Sequence, residues 1–103
     1  MSERPQTDGL NKLFVYGIFL DEANRRAYGM SNPRYQTVSG YATFGKGIVM
    51  AYPVNEEAGL TGLVVDVDPD RWESIDNLEY RYDRFKVTTD LNEEVWMYGR
   101  HNK

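Results

Sequence analysis

The sequence predicts an α+β domain, a small mixed β-barrel of about six strands flanked by one longer and one short helix. Short runs rich in β-branched and aromatic residues recur along the chain, separated by Gly, Pro and Asn turn signals. One segment combines a helix-start pattern with apolar residues spaced three and four apart. The 103 residues suit one domain, and so few residues favour strands that curl into a barrel or a strongly bent sheet, which removes exposed edges.

The chain is expected to divide into a flexible leader, residues 1–11, and a single domain, residues 12–100. The leader is polar and lacks the apolar centre of a signal peptide. No apolar run approaches the roughly 20 residues that span a bilayer. We therefore expect a cytoplasmic protein that does not associate with membranes.

The first half of the domain is predicted to contain a strand, a short helix, a loop and two further strands. An Asp at the front and a Gly at the back delimit the short helix, and Asn-Pro disfavours helix in the loop. Gly40 interrupts the next strand and is interpreted as a bulge or a close backbone approach. The predicted ranges are strand 12–17, helix 21–29, loop 30–34, strand 35–47 and strand 48–53.

The second half is predicted to contain a strand, the longer helix and a closing hairpin. Residues 60–68 alternate, with Leu63, Val65 and Val67 on one side. The helix covers 68–79, because Asp68 suits the N-cap and Pro69 the first helical position. The hairpin is formed by strands 84–91 and 94–99 around a turn at Asn92 and Glu93.

Composition excludes several classes of function. The net charge is −4 and the pI about 4.9, whereas broad nucleic-acid binding needs a basic face. The chain has no cysteine and one histidine, so no disulfide, thiolate site or multi-histidine metal site is expected. We expect no metal, and we expect Trp72 and Trp96 to be core residues.

Glu79 lies at an unexpected place in the helical pattern. Trp72 and Ile75 precede it by seven and four residues, so the three share one helix face. Burial, the negative helix end and Asp76 would raise the pKa of Glu79, and Arg81 or Arg84 would oppose this. A carboxylate tuned upward in this way suits a general acid and base. The alternative is a helix-terminal Glu79 in water, with Asp76 an exposed residue that pairs locally.

The segment 14–22 carries the second candidate feature. A buried strand ends at Gly17, where a ligand can approach the backbone closely. The N–H groups of Gly17, Ile18 and Phe19 can then converge on an anion or oxyanion. The alternative is an ordinary connection between a strand and a helix.

Together these stretches resemble the gamma-glutamylcyclotransferase-like family, also called avirulence-induced-gene-like. Its members begin with a strand carrying Tyr-Gly-Ser/Thr-Leu, where this chain has LFVYGIFL. They later carry Leu-Asp-x-Phe-Glu-Gly and Tyr-x-Arg, where this chain has Ile75-Asp76, Leu78-Glu79 and Tyr82-Asp83-Arg84. The closing EVWMYG resembles the family's final Ala-Trp-x-Tyr strand. The resemblance covers residues 12–99.

The resemblance implies a mixed barrel with a cavity at its mouth, in which Glu79 is the catalytic acid and base. It implies that the turn from Tyr16 through Gly17, Ile18 and Phe19 to Leu20 holds the polar end of the substrate. It also brings Tyr82 near the cavity as a substrate-binding residue. The implied reaction cyclises a γ-glutamyl amide to 5-oxoproline and releases an amine, without a metal or cofactor.

Two departures from the family pattern keep a second class of function open. Ile18 stands at the family's small hydroxyl position, followed by Phe19, and Tyr80 replaces the glycine after the glutamate. The first hypothesis is therefore an enzyme acting on a small γ-glutamyl-type substrate. The alternative is an inactive relative that binds a small ligand or a protein partner through the altered pocket. Most of the tyrosines are interpreted as structural residues of the barrel rim.

Overall fold

Seven strands and two α-helices form the part of the chain that the computed structural model describes, residues 5–45 and 50–100. Two 3-10 turns, Ile18–Leu20 and Pro69–Arg71, precede the helices. The elements are β1 (Lys12–Val15), α1 (Glu22–Ala27), β2 (Met30–Ser39), β3 (Tyr41–Phe44), β4 (Met50–Pro53), β5 (Gly59–Val67), α2 (Trp72–Leu78), β6 (Asp83–Thr88) and β7 (Glu94–Gly99).

Five strands form one sheet in the order β2-β5-β1-β7-β6. The β1–β7 pair is parallel, and the other three neighbouring pairs are antiparallel. Strands β3 and β4 form a separate antiparallel pair. The α+β class is confirmed, and the sheet is mixed as predicted.

The predicted barrel is not closed. Strands β2 and β6 are the edges of the five-stranded sheet and do not pair along their length in the described residues. Strand β2 contacts the turn that follows β6, where the Asp90 N–H donates to the Thr37 carbonyl at 2.8 Å and Asp90 Oδ1 accepts from the Thr37 N–H at 2.9 Å. After β2, Gly40 adopts a φ of +86°, which turns the chain off the sheet. The next two strands therefore form their own pair instead of closing the barrel.

The sheet is buried on both faces. One core cluster includes Leu63, Val65 and Val67 and takes in Trp72 and Ile75 of α2. The opposite face, represented by Val64, packs with Ala51 of β4 in a second cluster. The predicted alternation of β5 and the core positions of Trp72 and Trp96 are confirmed.

The predicted loop 30–34 is wrong, because β2 begins at Met30. Its pairing with β5 shifts register between Ser31 and Arg34, and Asn32 has a φ of +53°. A bulge of this kind leaves residues unpaired, so Pro33 does not need to donate a hydrogen bond to the ladder. Gly40 itself is a turn residue between β2 and β3. Its N–H donates to the Ala58 carbonyl and its carbonyl accepts from the Val54 N–H, both at 2.8 Å, which agrees with the close backbone approach and not with a bulge at this position.

The predicted helices are confirmed, with shorter limits. Asp21 Oδ1 accepts from the Ala23 N–H at 2.8 Å and caps α1. Asp68 Oδ1 accepts from the Asp70 N–H at 3.2 Å where the longer helical segment starts. Residues 46–49, which include the ends of predicted strands 35–47 and 48–53, lie outside the described residues.

The described part of the leader contacts the domain. The Leu10 carbonyl accepts from Trp96 Nε1 at 3.0 Å, and Asn11 Oδ1 accepts from Trp72 Nε1 at 2.9 Å. The Pro5 carbonyl accepts from the buried Arg84 guanidinium. Leu10 also packs against the core. The boundary at residue 12 and the flexibility of the leader stay predictions.

Candidate active site

A cavity of about 250 Å³ opens between the end of β1 and the segment that follows α2. The strand contributes the first wall, and the 3-10 turn after it continues that wall. The helix end and the residues leading to β6 form the second wall. The lining residues are 14–19, 78–82 and Tyr98.

The 3-10 turn directs a main-chain donor, the Phe19 N–H, away from α1. Asn24 Nδ2 donates to the Ile18 carbonyl at 2.8 Å, and Arg25 Nη1 donates to the Phe19 carbonyl at 2.9 Å. Because the N–H and C=O of a trans peptide point in opposite directions, the Phe19 N–H points away from α1. The first N–H groups of a helical turn have no partner within it. The turn can therefore offer these groups to a ligand.

Of the predicted substrate-binding residues, five line the cavity: Tyr16, Gly17, Ile18, Phe19 and Tyr82. A Cβ placed on Gly17 would have no heavy atom within 4 Å, so its backbone is open to a ligand. The predicted sixth residue, Leu20, is exposed and is not part of the cavity wall.

Glu79 lines the same cavity as the turn. It is half-buried and ends α2, where its N–H donates to the Ile75 carbonyl at 2.9 Å. Burial raises the pKa values of Tyr16 and Tyr82, and the negative charge of Glu79 raises both further. Glu79, Tyr16 and Tyr82 thus line one cavity and interact electrostatically.

Tyr16 joins β1 to β7 and β4. Its hydroxyl donates to the Tyr98 carbonyl at 2.6 Å and accepts from the Ala51 N–H at 3.0 Å. Because these bonds occupy the hydroxyl, Tyr16 contributes mainly its ring to the cavity wall. The sequence pointed to the residue but not to these partners, which are far away along the chain.

A polar cluster attaches α2 to the sheet. Asp76 Oδ1 accepts from the Tyr98 hydroxyl and, at 2.9 Å, from Arg84 Nε. The Arg84 guanidinium also lies 4.4 Å from the ring centre of Trp96. Asp76 thus pairs with residues of β6 and β7 and is not an exposed helix residue that only caps or pairs locally.

Sequence reasoning missed Arg81 and Tyr98 as cavity residues. The sequence predicts Arg81 only as a charge near Glu79, yet it lines the cavity mouth. Its Nε donates to the Tyr80 hydroxyl at 3.1 Å, and its guanidinium lies 5.5 Å from the Tyr80 ring centre. Because Tyr80 and Arg81 are adjacent in the sequence, an aromatic residue next to a cationic one was a local signal for this contact. Tyr98 had no such signal, because its place depends on the pairing of β7 with β1.

Within residues 5–45 and 50–100, no group of three or more His, Cys, Asp or Glu side chains is placed to hold a metal ion. In the same ranges, none of the helices has both the length and the apolar character required to cross a bilayer.

A protein-family model described as gamma-glutamyl cyclotransferase, AIG2-like, matches residues 13–103. The chain belongs to this family. The match covers both cavity walls and confirms the resemblance seen in the sequence. Membership of the gamma-glutamyl cyclotransferase, AIG2-like family indicates a small-molecule substrate.

Solved structures show the same fold. A protein of Arabidopsis thaliana, determined in solution, is 25% identical, with 96% of this chain and 75% of that chain covered and a TM-score of 0.73. An uncharacterized protein of Pyrococcus horikoshii is 16% identical over 89% of this chain and 79% of that chain, with a TM-score of 0.70. A gamma-glutamyl cyclotransferase is 16% identical, with 88% of this chain and 66% of that chain covered and a TM-score of 0.67. No curated protein matches the chain.

Proposed function

We propose that the protein cyclises a γ-glutamyl amide to 5-oxoproline and releases the attached amine, with Glu79 as general acid and base. One observation carries the proposal: Glu79 and the main-chain donors of the Gly17–Phe19 turn line a single cavity. Family membership supports the same reaction class.

The substrate supplies its own nucleophile in this reaction. Its α-amine attacks its γ-carbonyl carbon, so the enzyme needs to bend the substrate and hold both groups in line. Good alignment of this kind can supply about 7–11 kcal/mol. The cavity walls, formed largely by apolar and aromatic residues, would hold the folded chain of the substrate.

Proton transfer and charge stabilisation complete the proposed mechanism. Glu79 takes a proton from the α-ammonium, and the freed amine forms the new C–N bond. The oxyanion accepts hydrogen bonds from the Ile18 and Phe19 N–H groups. When the intermediate collapses, the original amide C–N bond breaks and Glu79 returns its proton to the leaving nitrogen. The second proton of the attacking nitrogen also passes to the leaving amine, which departs as an ammonium.

The first prediction is that Glu79→Gln lowers kcat about 10²–10⁴-fold, because the amide cannot shuttle the proton. Mass spectrometry would measure 5-oxoproline and free amine from a panel of γ-glutamyl amides. Glu73→Gln is the matched control, since Glu73 is an exposed residue of the same helix. If Glu79→Gln turns over as fast as the parent protein, Glu79 is not the acid and base.

The exposed apolar residues at the cavity mouth favour a second candidate function. Ile18, Leu78 and Tyr80 are large and solvent-exposed, which suits a relative that binds a ligand or protein without catalysis. This function requires that no γ-glutamyl amide yields 5-oxoproline. It also requires a specific partner that the Tyr80→Ala variant no longer retains.

We further propose that the protein acts in the cytoplasm, without a cofactor and without binding nucleic acid. The net charge of −4 supports the last point. The reaction as written needs no redox change, so the substrate and one carboxylate account for every bond and proton.

A further inference from the structure

We infer that the amine half of the substrate is an amino acid with a large apolar side chain, which lies on Ile18, Leu78 and Tyr80 while its carboxylate pairs with Arg81. This inference rests on the proposed function and goes further by naming the leaving group. It makes the substrate a γ-glutamyl dipeptide with a residue such as leucine in second place.

The first observation is an apolar patch at the cavity mouth, formed by Ile18, Leu78 and Tyr80. These side chains line the cavity and are 47%, 39% and 70% exposed. Ile18 comes from the turn after β1, and the other two come from the end of α2, so the patch spans both walls. Covering apolar surface stabilises a complex by about 25 cal/mol per Å². A leaving group with an apolar side chain would gain that energy.

The second argument is where the proposed mechanism places the leaving amine. In that mechanism the γ-carbonyl oxygen is held at the N–H groups of Ile18 and Phe19, and the leaving nitrogen receives its proton from Glu79. The substituent on that nitrogen therefore leaves the cavity between the turn and Glu79. Leu78 and Tyr80 flank Glu79 in the chain, and the Ile18 side chain follows directly from the turn. The apolar patch thus borders the path of the leaving group.

The third observation is the charge at the mouth. Arg81 is the cationic residue among the described lining residues. Its Nε is bonded to the Tyr80 hydroxyl at 3.1 Å, which orients the planar guanidinium beside the patch. Guanidinium groups pair well with carboxylates. An amino acid leaving group has a carboxylate next to its side chain, so the carboxylate can pair with Arg81 while the side chain lies on the apolar patch.

Three substrates separate these contributions: γ-glutamyl-leucine, γ-glutamyl-alanine and γ-glutamyl-isoamylamide. The last has the side chain of the leucine dipeptide and lacks its second carboxylate. For the parent protein, we expect kcat/KM for the leucine dipeptide to exceed that for the alanine dipeptide by about tenfold or more. Equal values for the two would overturn the inference while leaving the proposed function in place.

Two variants test the individual contacts. Leu78→Ala should remove most of the preference for leucine over alanine, with turnover of the alanine dipeptide showing that the variant is folded. Arg81→Gln should lower kcat/KM about two- to fivefold for the leucine dipeptide and leave the isoamylamide unchanged. Leu91→Ala is the control, because Leu91 is an exposed leucine in the turn between β6 and β7.

The other outcomes are equally decisive. If Arg81→Gln lowers turnover of all three substrates equally, Arg81 binds the α-carboxylate of the glutamyl half, and the inference is overturned. If none of the three substrates yields 5-oxoproline, the proposed function fails and the inference fails with it. Retention of the leucine preference in Leu78→Ala and Ile18→Ala would likewise overturn it.

Discussion

At the level of single residues, Tyr16 both lines the cavity and stabilises the fold. Its ring lines the cavity, and its hydroxyl bridges the Tyr98 carbonyl and the Ala51 N–H. A tyrosine followed by glycine at the end of a strand marked this position in the sequence. Its hydrogen-bond partners depend on how β1, β4 and β7 meet, which no local pattern encodes.

We predict that Tyr16→Phe lowers the free energy of unfolding by about 1–3 kcal/mol, because the Ala51 N–H and the Tyr98 carbonyl lose a partner. Chemical denaturation followed by tryptophan fluorescence would measure this loss. Tyr35→Phe is the control, since Tyr35 is exposed. A loss of the same size in both variants would show that the two bonds of Tyr16 contribute little.

The same variant has a consequence for pH dependence. Burial raises the pKa of Tyr16 above its ordinary value. The folded state thus holds this proton more tightly than the unfolded state, and stability falls as pH rises above about 10. The Tyr16→Phe variant should lack that part of the alkaline loss.

Helical periodicity predicts only some of the cavity residues, as the segment with Leu78, Glu79 and Arg81 shows. Helical spacing from Trp72 and Ile75 left two alternatives for Glu79, a carboxylate facing the core and a helix end in water. In the structure Glu79 is half-buried in the cavity wall. Leu78 and Arg81 line the mouth because the chain leaves the helix at Glu79 and changes direction. Side-chain directions beyond a helix end depend on the tertiary path and cannot be read from a 3.6-residue period.

At the level of elements, β5 lies between β2 and β1 in the sheet and leaves little room around Gly62. A Cβ on Gly62 would lie 2.3 Å from the Val15 carbonyl oxygen and 2.8 Å from Phe14 Cζ. The sequence showed an alternating strand with a glycine on one side. It did not show that β1 approaches so closely at that point.

We predict that Gly62→Ala lowers the free energy of unfolding by about 1–3 kcal/mol or more, because backbone atoms must shift to admit the methyl group. Urea denaturation would measure the change. Gly59→Ala in the same strand is the control, since its nearest neighbour is the Thr37 side chain at 3.1 Å, which can move more readily. If the two variants lose equal stability, the close approach at Gly62 is not the cause.

Strand β2 shows why a local signal can be right and its assignment wrong. Asn32 and Pro33 do interrupt regular pairing, as their residue types predict. The interruption is a register shift within a strand and not a loop, because pairing with β5 resumes at Arg34. Whether an irregular dipeptide ends a strand depends on the neighbouring strand that continues beside it.

At the level of the whole molecule, Glu93 joins parts of the sheet that are distant in sequence. Its carboxylate accepts from Lys12 Nζ at 2.6 Å, Gln36 Nε2 at 2.8 Å and Arg34 Nη2 at 3.2 Å. These donors lie on β1 and β2, whereas Glu93 directly precedes β7. The pKa of Glu93 is lowered to about 2, mainly by the hydrogen bonds from Lys12 and Gln36.

We predict that stability falls as pH drops from about 4.5 to about 2, partly through protonation of Glu93. The pKa of Glu93 is lower in the folded state than in the unfolded state. Its contribution to stability is therefore fully present above pH 4.5 and is lost as the pH falls through the folded-state pKa of about 2. Glu93→Gln should lower stability at pH 7 by about 1–2 kcal/mol, since solvent screens a partly exposed group.

Thermal unfolding from pH 2 to pH 7 would measure both effects, with the adjacent and exposed Glu94→Gln as control. The Glu93 variant should show a shallower loss of melting temperature in acid than the parent protein. Parallel pH profiles for the parent protein and Glu93→Gln would show that other carboxylates account for the acid sensitivity.

The sequence by itself determined the α+β class, the longer helix with its Asp68-Pro69 start and the buried tryptophans. Each of these follows from residue type and spacing within a short window, where backbone preferences and side-chain periodicity act directly. Only the tertiary structure decided that the sheet stays open, that β3 and β4 form their own pair, and that Glu79 and the Gly17–Phe19 turn share a cavity. These features depend on contacts between residues far apart in the chain, and such contacts are selected by the packing of the whole domain.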